Sequence, residues 1–580
     1  MSKHLKFFAG LIIILLVLLY SYSLLAGADR FSMTPFREGQ TAITSYYLAA
    51  GESPFLAYEV PVLGRPWGMP MEFPLFQWVA AQLGGTNIDT LRWAGRLLSL
   101  GFFGGCLCIA GLIGRRLPVE REDRLALVAL LAVAPIFVAY STAFLIESFA
   151  LFFALAYLFF YFKLYDKLRF DSLLLVCTFG ILASLSKPTT WAPFAGVIIL
   201  ATAIDLLIHF KIKAPFKRVI LGICIPGVAV SIPLIAGIIW VHFGDAVKMN
   251  NPLARSLTSG NLADWNYGTL SQKLSPVVWA VILGKQSIMA LGITALLIPF
   301  VLMGSLWAVW KQKRMSATLI YLLIAIAGYL SAPVVFTNLH FRHDYYLFAN
   351  GFFLIVAFVL SMNLLRPIFS PKLISTIYLF SIFSGMLVGF GYMGLRKGLS
   401  EPQENAVIAA LQNVEGEGGV IYFGFGWSSK MPYELERRAL MLSPQEITDP
   451  KYLEAVALNT DEDWIAIAIA SDDYNTLAED AQQRLGLDLP HVLEVWPGVL
   501  VFTGKPLILE NASSALGLLN RIANKVPRDV PKGSSLIFLH SFLKPANAGE
   551  GLFEVMYKRG NDLFYVDGVA QKLYRLRNYF

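Results

Sequence analysis

The stretch KFFAGLIIILLVLLYSYSLLAGADRFSMTPFREGQ (residues 6–40) joins an apolar run to a cluster of charged and polar side chains, and its reading decides the fold. Residues 7–26 are long enough to cross a bilayer as a helix, which satisfies its own backbone hydrogen bonds in lipid. A basic start, an apolar run and small residues at its end give it the outline of a secretory signal. The run is long for that role and reads better as an anchor. It leaves Arg37, Glu38 and Gln40 at the exterior edge of the membrane.

The rest of the chain has the same character. Its 580 residues are 56% hydrophobic and 15% charged, with a mean hydropathy of +0.58; soluble domains carry roughly 25% charged residues. Residues 1–400 hold 31 basic and 16 acidic side chains, whereas residues 401–580 hold 16 and 24. The excess of positive charge therefore belongs to the membrane part and does not point to nucleic acid.

Eleven spans are read, near 7–26, 97–114, 125–142, 145–162, 171–187, 190–209, 219–241, 286–309, 316–335, 347–365 and 373–393. Lys3 and Lys6, RRLPVEREDR (115–124), KLYDKLR (163–169), KIKAPFKR (211–218), KQKR (311–314) and Arg366 with Lys372 hold 18 of those 31 basic residues. All fall on one side when the spans alternate, and the positive-inside rule makes that side cytoplasmic. The loop 27–96, the connection 242–285 and the tail then face outward. Cys106, Cys108, Cys177 and Cys224 lie within spans and suggest neither a disulfide nor a metal framework.

Composition changes abruptly near residues 391–406, which sets the expected domains at 1–398, transmembrane with exterior loop 27–96, and 399–580, soluble. In the second, 419–427, 464–470, 498–504, 535–540, 553–558 and 563–568 read as strands. YLEAVAL (452–458) and LAEDAQQRLG (477–486) read as helices, giving an α/β or α+β domain. Asn511-Ala512-Ser513 fits a glycosylation sequon. In loop 27–96, TAITSYYLAA and FPLFQWVAAQLG are predicted as amphipathic helices around the turn-rich PVLGRPWGMPMEFP.

Ionisable residues at the rims of spans call for an explanation, since a charge at bilayer depth costs at least about 2.5–3.5 kcal/mol. Here they collect on the exterior side. Asp29, Arg37, Glu38, Glu72 and Arg96 come from the first loop, Glu147 from the start of the fourth span, Lys187 from the end of the fifth, and Arg342, His343, Asp344 and Tyr345 from FRHDYY between the ninth and tenth. Taken singly each has a structural alternative: Arg96 and Lys187 as snorkelling cations, Glu147 as half of an ion pair, His343 as an interfacial hydrogen-bonding residue, Asp29 as a helix end, Tyr345 as an interface anchor. Joint placement favours one outward-facing site.

FREGQTAITSYYLAAGE, PVLGRPWGMPMEFPLFQW, the IES of span four, SKPTTW and HDYYLFAN occur in an order that resembles the polyprenyl-phosphate-sugar-dependent glycosyltransferases of the multispan GT-C fold, a superfamily that includes protein O-mannosyltransferases and aminoarabinose transferases. The resemblance covers roughly residues 5–395. It implies a sugar donor on an isoprenoid phosphate, an acceptor hydroxyl on a glycan, lipid or protein at the periplasmic face of a bacterial inner membrane, and an acidic residue of the first exterior loop as base. Relatives carry an acidic pair before a helix; this chain has Phe36-Arg37-Glu38, so Glu38 fills the place, with Asp29 and Glu72 as substitutes.

That chemistry suits the residues. A carboxylate accepts the proton of the attacking hydroxyl. Arg37, Lys187 and Arg342 stabilise the leaving phosphate, and Gln40 bonds a donor hydroxyl. Glu147 orients the acceptor or holds an arginine. Arg96, His343, Asp344 and Tyr345 complete the expected donor site, no cofactor is read, and a divalent metal is left open. A transporter or lipid-linked-sugar flippase and a non-catalytic polysaccharide-assembly scaffold are the rival readings. A transporter predicts polar or broken helices at mid-membrane, and a scaffold needs no cluster of carboxylates and cations.

Overall fold

The computed structural model describes residues 3–26, 31, 33–211, 216–312, 316–398 and 402–443 apart from 413, 415 and 417; it then describes 454–455, 458–459, 463–470, 491–496, 498–503, 535–537, 553–559, 562–567 and 572–576. These residues divide into two compact units, one of residues 1–57, 70–247 and 256–399, the other of 58–69, 248–255 and 400–580.

The first unit is helical and polytopic. After α1 (Lys3–Ala26) come α2 (Pro35–Ala49) and α3 (Leu75–Gly84), the two helices expected in the first exterior loop, then α4 (Ile88–Gly114). Next are α5 (Arg121–Val133), α6 (Pro135–Ser141), α7 (Glu147–Asp166), α8 (Phe170–Ser186), α9 (Pro188–Lys211) and α10 (Phe216–Lys248). The short α11 (Ala263–Tyr267) and α12 (Leu270–Leu274) lead to α13 (Pro276–Leu291), α14 (Ile298–Gln312), α15 (Ala317–Val335), α16 (Thr337–Arg342), α17 (Leu347–Leu365) and α18 (Pro371–Gly398). Among the described residues, eight segments are long and apolar enough to span a membrane, α5 and α6 form a further span bent by 52°, and Ile13–Leu25 within α1 and Phe170–Ser186 (α8) are shorter apolar segments. They occupy the eleven expected positions one for one.

Boundaries differ where charge misleads. α4 begins at Ile88 rather than at 97, because Arg92 and Arg96 point into the protein and are buried. A hydropathy window reads such residues as loop. The α5–α6 bend falls at Ala134-Pro135, where proline cannot continue the hydrogen-bond ladder.

Helix α17 is apolar around its circumference and buried along nearly its whole length, as expected of a helix at the centre of a bundle. Its one buried amide side chain has a definite task. Pro333 in α15 lacks the N–H that would satisfy the Tyr329 carbonyl, and Asn350 Nδ2 of α17 donates to that oxygen at 2.7 Å. On the side that carries the basic connections, Asp123 is fully buried and accepts from Arg366 (2.6 Å), Tyr378 (2.8 Å) and Asn363 (2.8 Å), joining α5, α17 and α18.

In the second unit, α19 (Pro402–Leu411) and α20 (Lys430–Glu434) accompany β1 (Gly419–Phe423), β2 (Ala439–Leu442), β3 (Trp464–Ala470), β4 (His491–Trp496) and β5 (Val499–Thr503), ordered β2-β1-β3-β5-β4. The β1 strand pairs in parallel with β2 and β3, and the β3-β5-β4 side is antiparallel. A four-stranded antiparallel sheet follows: β6 (Ser535–Ile537), β7 (Phe553–Arg559), β8 (Asp562–Asp567) and β9 (Lys572–Leu576).

Two pieces of the membrane part's connections, 58–69 and 248–255, belong to this unit. Residues 61–64 run antiparallel along β2, with Ala439 N donating to Pro61 O (2.9 Å), Met441 N to Val62 O (2.8 Å) and Gly64 N to Ala439 O (3.1 Å). Asn251 Nδ2 donates to the carbonyls of Leu63, Gly64 and Pro66, and Arg255 forms a two-pronged pair with Glu454 at 2.8 Å. The helix expected at 477–486, most of that at 452–458 and the sequon at 511–513 lie outside the described residues.

Candidate active site

The site is assembled from connections that must be held without helical hydrogen bonds. The first is 142–146, between α6 and α7, whose backbone is buried and therefore needs partners. Arg96 of α4 supplies Nε to Thr142 O (2.7 Å) and also reaches Ser23 O (3.0 Å); Ser99 Oγ donates to Leu145 O (2.6 Å). A Cβ on Gly95 would overlap the Phe144 ring, so glycine is what lets this connection lie against α4. Glu38 completes the support. Its Oε2 accepts from Phe144 N (3.2 Å), and its Oε1 accepts from Met33 N (3.0 Å) and Thr34 N (3.1 Å) at the start of α2.

Glu38 is 2% exposed and both of its oxygens serve backbone donors. Glu38→Gln should therefore lower stability by about 1–3 kcal/mol, because the new NH2 group faces N–H donors where an acceptor is needed. Thermal unfolding in detergent measures this. Turnover per folded molecule should survive, and its loss in a fully stable variant would make Glu38 a reacting group.

This connection delivers Glu147 as the first residue of α7, where Lys187 pairs with it. Lys187 is extended because Pro188 follows, so it leaves the end of α8 and reaches inward. Its ammonium lies 5.0 Å from the Tyr345 ring centre and 4.6 Å from that of Tyr346, within cation–π range. Residues 70–74 are held by Phe73 N on Leu185 O (3.1 Å) and by Trp240 Nε1 on Met71 O (3.0 Å), which places Glu72 against Arg37 of α2. The other arm of Arg37 donates to Gln40 Oε1.

A third pair closes the group. Lys285 of α13 bonds Asp344 at 2.6 Å, and the second oxygen of Asp344 accepts from Tyr392 (2.9 Å), which is hydrogen-bonded to Tyr140 (3.0 Å). The His343 ring stacks on Tyr345 at 5.2 Å. Neighbouring His340 is hydrogen-bonded through Nδ1 to Gln286 Nε2 (2.7 Å). Burial, reinforced by Arg37 and Lys285, pushes His343 down to about 4, and burial with Lys187 and Lys285 pushes His340 down to about 3. Both imidazoles are neutral at pH 7, so the site's positive charge comes from Arg37, Lys187 and Lys285. Burial opposes the charge on Arg37 and on Glu72, but their mutual attraction outweighs it. Arg37 is held above the usual arginine range and Glu72 below the usual carboxylate range.

The structure thus brings together Arg37, Gln40, Glu72, Glu147, Lys187, His343, Asp344 and Tyr345. It does not bring in Arg342, which is exposed and lies over its neighbour Phe341, or Arg96, whose Nε and Nη2 are spent on the carbonyls of Thr142 and Ser23. Glu38 is set behind the 142–146 connection, and Asp29 lies outside the described residues. Lys285, Gln286, Tyr346 and Tyr392 are the additions. The Lys-Gln pair inside the apolar run VILGKQSIMAL was the available signal, since such a run tolerates a lysine only where a partner awaits it.

The polytopic helical bundle is a GT-C fold. Among solved structures the chain is similar to ArnT from Cupriavidus metallidurans bound to undecaprenyl phosphate, with a TM-score of 0.58 at 12% identity over 86% of this chain and 98% of that one. Its similarity to the apo state of the same ArnT gives 0.54 at 12% identity over 87% and 99%. No family model matches the chain, and no curated protein matches it.

Proposed function

We propose that the protein transfers a sugar from a polyprenyl-phosphate donor to an acceptor hydroxyl at the exterior face of the membrane, in a single displacement that inverts the anomeric centre. The convergence of Arg37, Lys187 and Lys285 with Glu72, Glu147 and Asp344 around Tyr345 and Tyr346 carries this reading. Such a transfer needs fixed cations at the departing phosphate and a carboxylate at the attacking hydroxyl. The undecaprenyl phosphate bound to ArnT supports the donor class.

In this reading Arg37 and Lys187 bind the phosphate. Gln40 fixes the Arg37 fork, and Glu147 holds Lys187. The base is Glu72, which is better reached from outside than Glu38 or Glu147, with its side chain 17% exposed. Lys285 and Asp344, steadied by Tyr392, flank the sugar. The transporter reading is less well supported: the breaks at Ala134-Pro135 and Gly292–Leu297 carry no ionisable residue, whereas ion-coupled carriers bind at such breaks.

The host is a bacterial inner membrane and the second unit is periplasmic in this account. Pairing of loop residues 61–64 with β2 supports a shared side for the first exterior loop and the tail. Reporter fusions after Lys313 and after Phe580 should report opposite sides; the same side at both contradicts the eleven-span topology. Mass spectrometry of envelope glycans tests the function in cells. A deletion strain should lose one sugar substitution that the wild-type gene restores and a Glu72→Gln gene does not. An unchanged glycan profile would remove the proposal.

A further inference from the structure

We infer that Glu72 is a built-in competitor of the donor phosphate: it holds the arm of Arg37 that the phosphate takes, and its displacement turns it into the proton acceptor. The inference rests on the proposed donor class. Arg37 gives Nη1 to Gln40 and Nη2 to Glu72; each of these nitrogens carries a second N–H, so a phosphate competes with Glu72 for the charge and the two-pronged edge of the guanidinium rather than for its last donor. A guanidinium fork accepts carboxylate and phosphate in the same geometry, which makes Glu72 the natural partner to be exchanged.

Local electrostatics favour the same exchange. Three cations already face three carboxylates, and a phosphate bound while Glu72 stays on Arg37 would set two anions against one guanidinium in a largely buried site. The Lys187–Glu147 pair, with side chains 6% and 3% exposed, is closed and begins a helix. Asp344 is held by Lys285 and Tyr392 together. Glu72 sits in the non-helical 70–74 segment, and in its pair both side chains, 22% and 17% exposed, meet the outside. A rotation of its side chain opens the pair.

The exchange orders the reaction. While paired with Arg37, Glu72 is a poor base; once Arg37 turns to the phosphate, the half-buried carboxylate loses the partner that kept its proton affinity low. The acceptor oxygen then bonds to the anomeric carbon as the bond from that carbon to the phosphate oxygen breaks. Its electron pair leaves with the phosphate, and the acceptor proton passes to Glu72. Donor binding precedes acceptor activation, so the protein does not prepare a nucleophile for water in the absence of donor.

The test is equilibrium binding of undecaprenyl phosphate to the purified full-length protein in detergent. Glu72→Gln should bind it about tenfold more tightly than wild type, the effect of removing one charged competitor for Arg37. Glu72→Asp, which keeps the charge but draws it back, should fall between, and Arg37→Ala should bind more weakly than wild type. Equal or weaker binding by Glu72→Gln, with wild type binding normally, overturns the inference and makes Glu72 a brace for Arg37. No binding by folded wild type overturns the phosphate site itself, and the inference with it.

Discussion

Glu72→Gln is expected to lower turnover about 10²- to 10⁴-fold at saturating donor, the usual contribution of a positioned proton acceptor. Glutamine keeps the size of the side chain and one hydrogen bond to Arg37 but cannot take the acceptor's proton. Folding should be nearly unaffected, because both members of the pair are part-exposed and water can reach Arg37. A purely structural role predicts the reverse: lower stability, with the remaining folded protein turning over normally. Assaying Glu38→Gln, Glu147→Gln and Asp344→Asn with the same donor, per folded molecule, ranks the carboxylates. Near-normal turnover in Glu72→Gln with loss in Asp344→Asn would move the base to Asp344.

Lys187→Met should destabilise the protein by about 3–5 kcal/mol, because it leaves Glu147 charged and unpaired in a closed site. Glu147→Gln added to it removes that charge and should recover most of the loss. The double variant then isolates the functional question. If Lys187 binds the phosphate, the refolded double variant still needs far more donor to reach half-maximal turnover. Thermal unfolding and the donor-concentration dependence of turnover provide the two readouts. Normal donor saturation in a stable double variant would assign Lys187 to the fold alone.

The membrane architecture was legible because apolar length and one-sided basic connections are local properties. Each expected span has its helix, even where α5 and α6 bend at Pro135. The site was legible as a list of residue types at one rim, but their pairing depended on distant backbone. Nothing near Glu38 in the chain says that the Phe144 amide, 106 residues on, needs its carboxylate, or that Arg96 answers the Thr142 carbonyl. Asp344 stands out in the sequence without its partners, since Lys285 and Tyr392 come from separate helices. In the second unit the four-residue β2 strand, ALML, was too short to stand out. Its partner across the edge, residues 61–64, lies in a loop that reads as turns, so the division into units could not follow the change in composition alone.

The central claim is that the Arg37–Glu72 and Lys187–Glu147 pairs form a site for sugar transfer from a lipid phosphate. The most direct measurement uses purified wild-type protein in proteoliposomes, a polyprenyl-phosphate donor carrying a labelled sugar, and an extract of envelope acceptors. Label should pass to acceptor while free polyprenyl phosphate accumulates in equal amount, and Glu72→Gln should stop both. Label that crosses the bilayer still attached to its lipid, or donor left intact with every acceptor fraction, would contradict the claim.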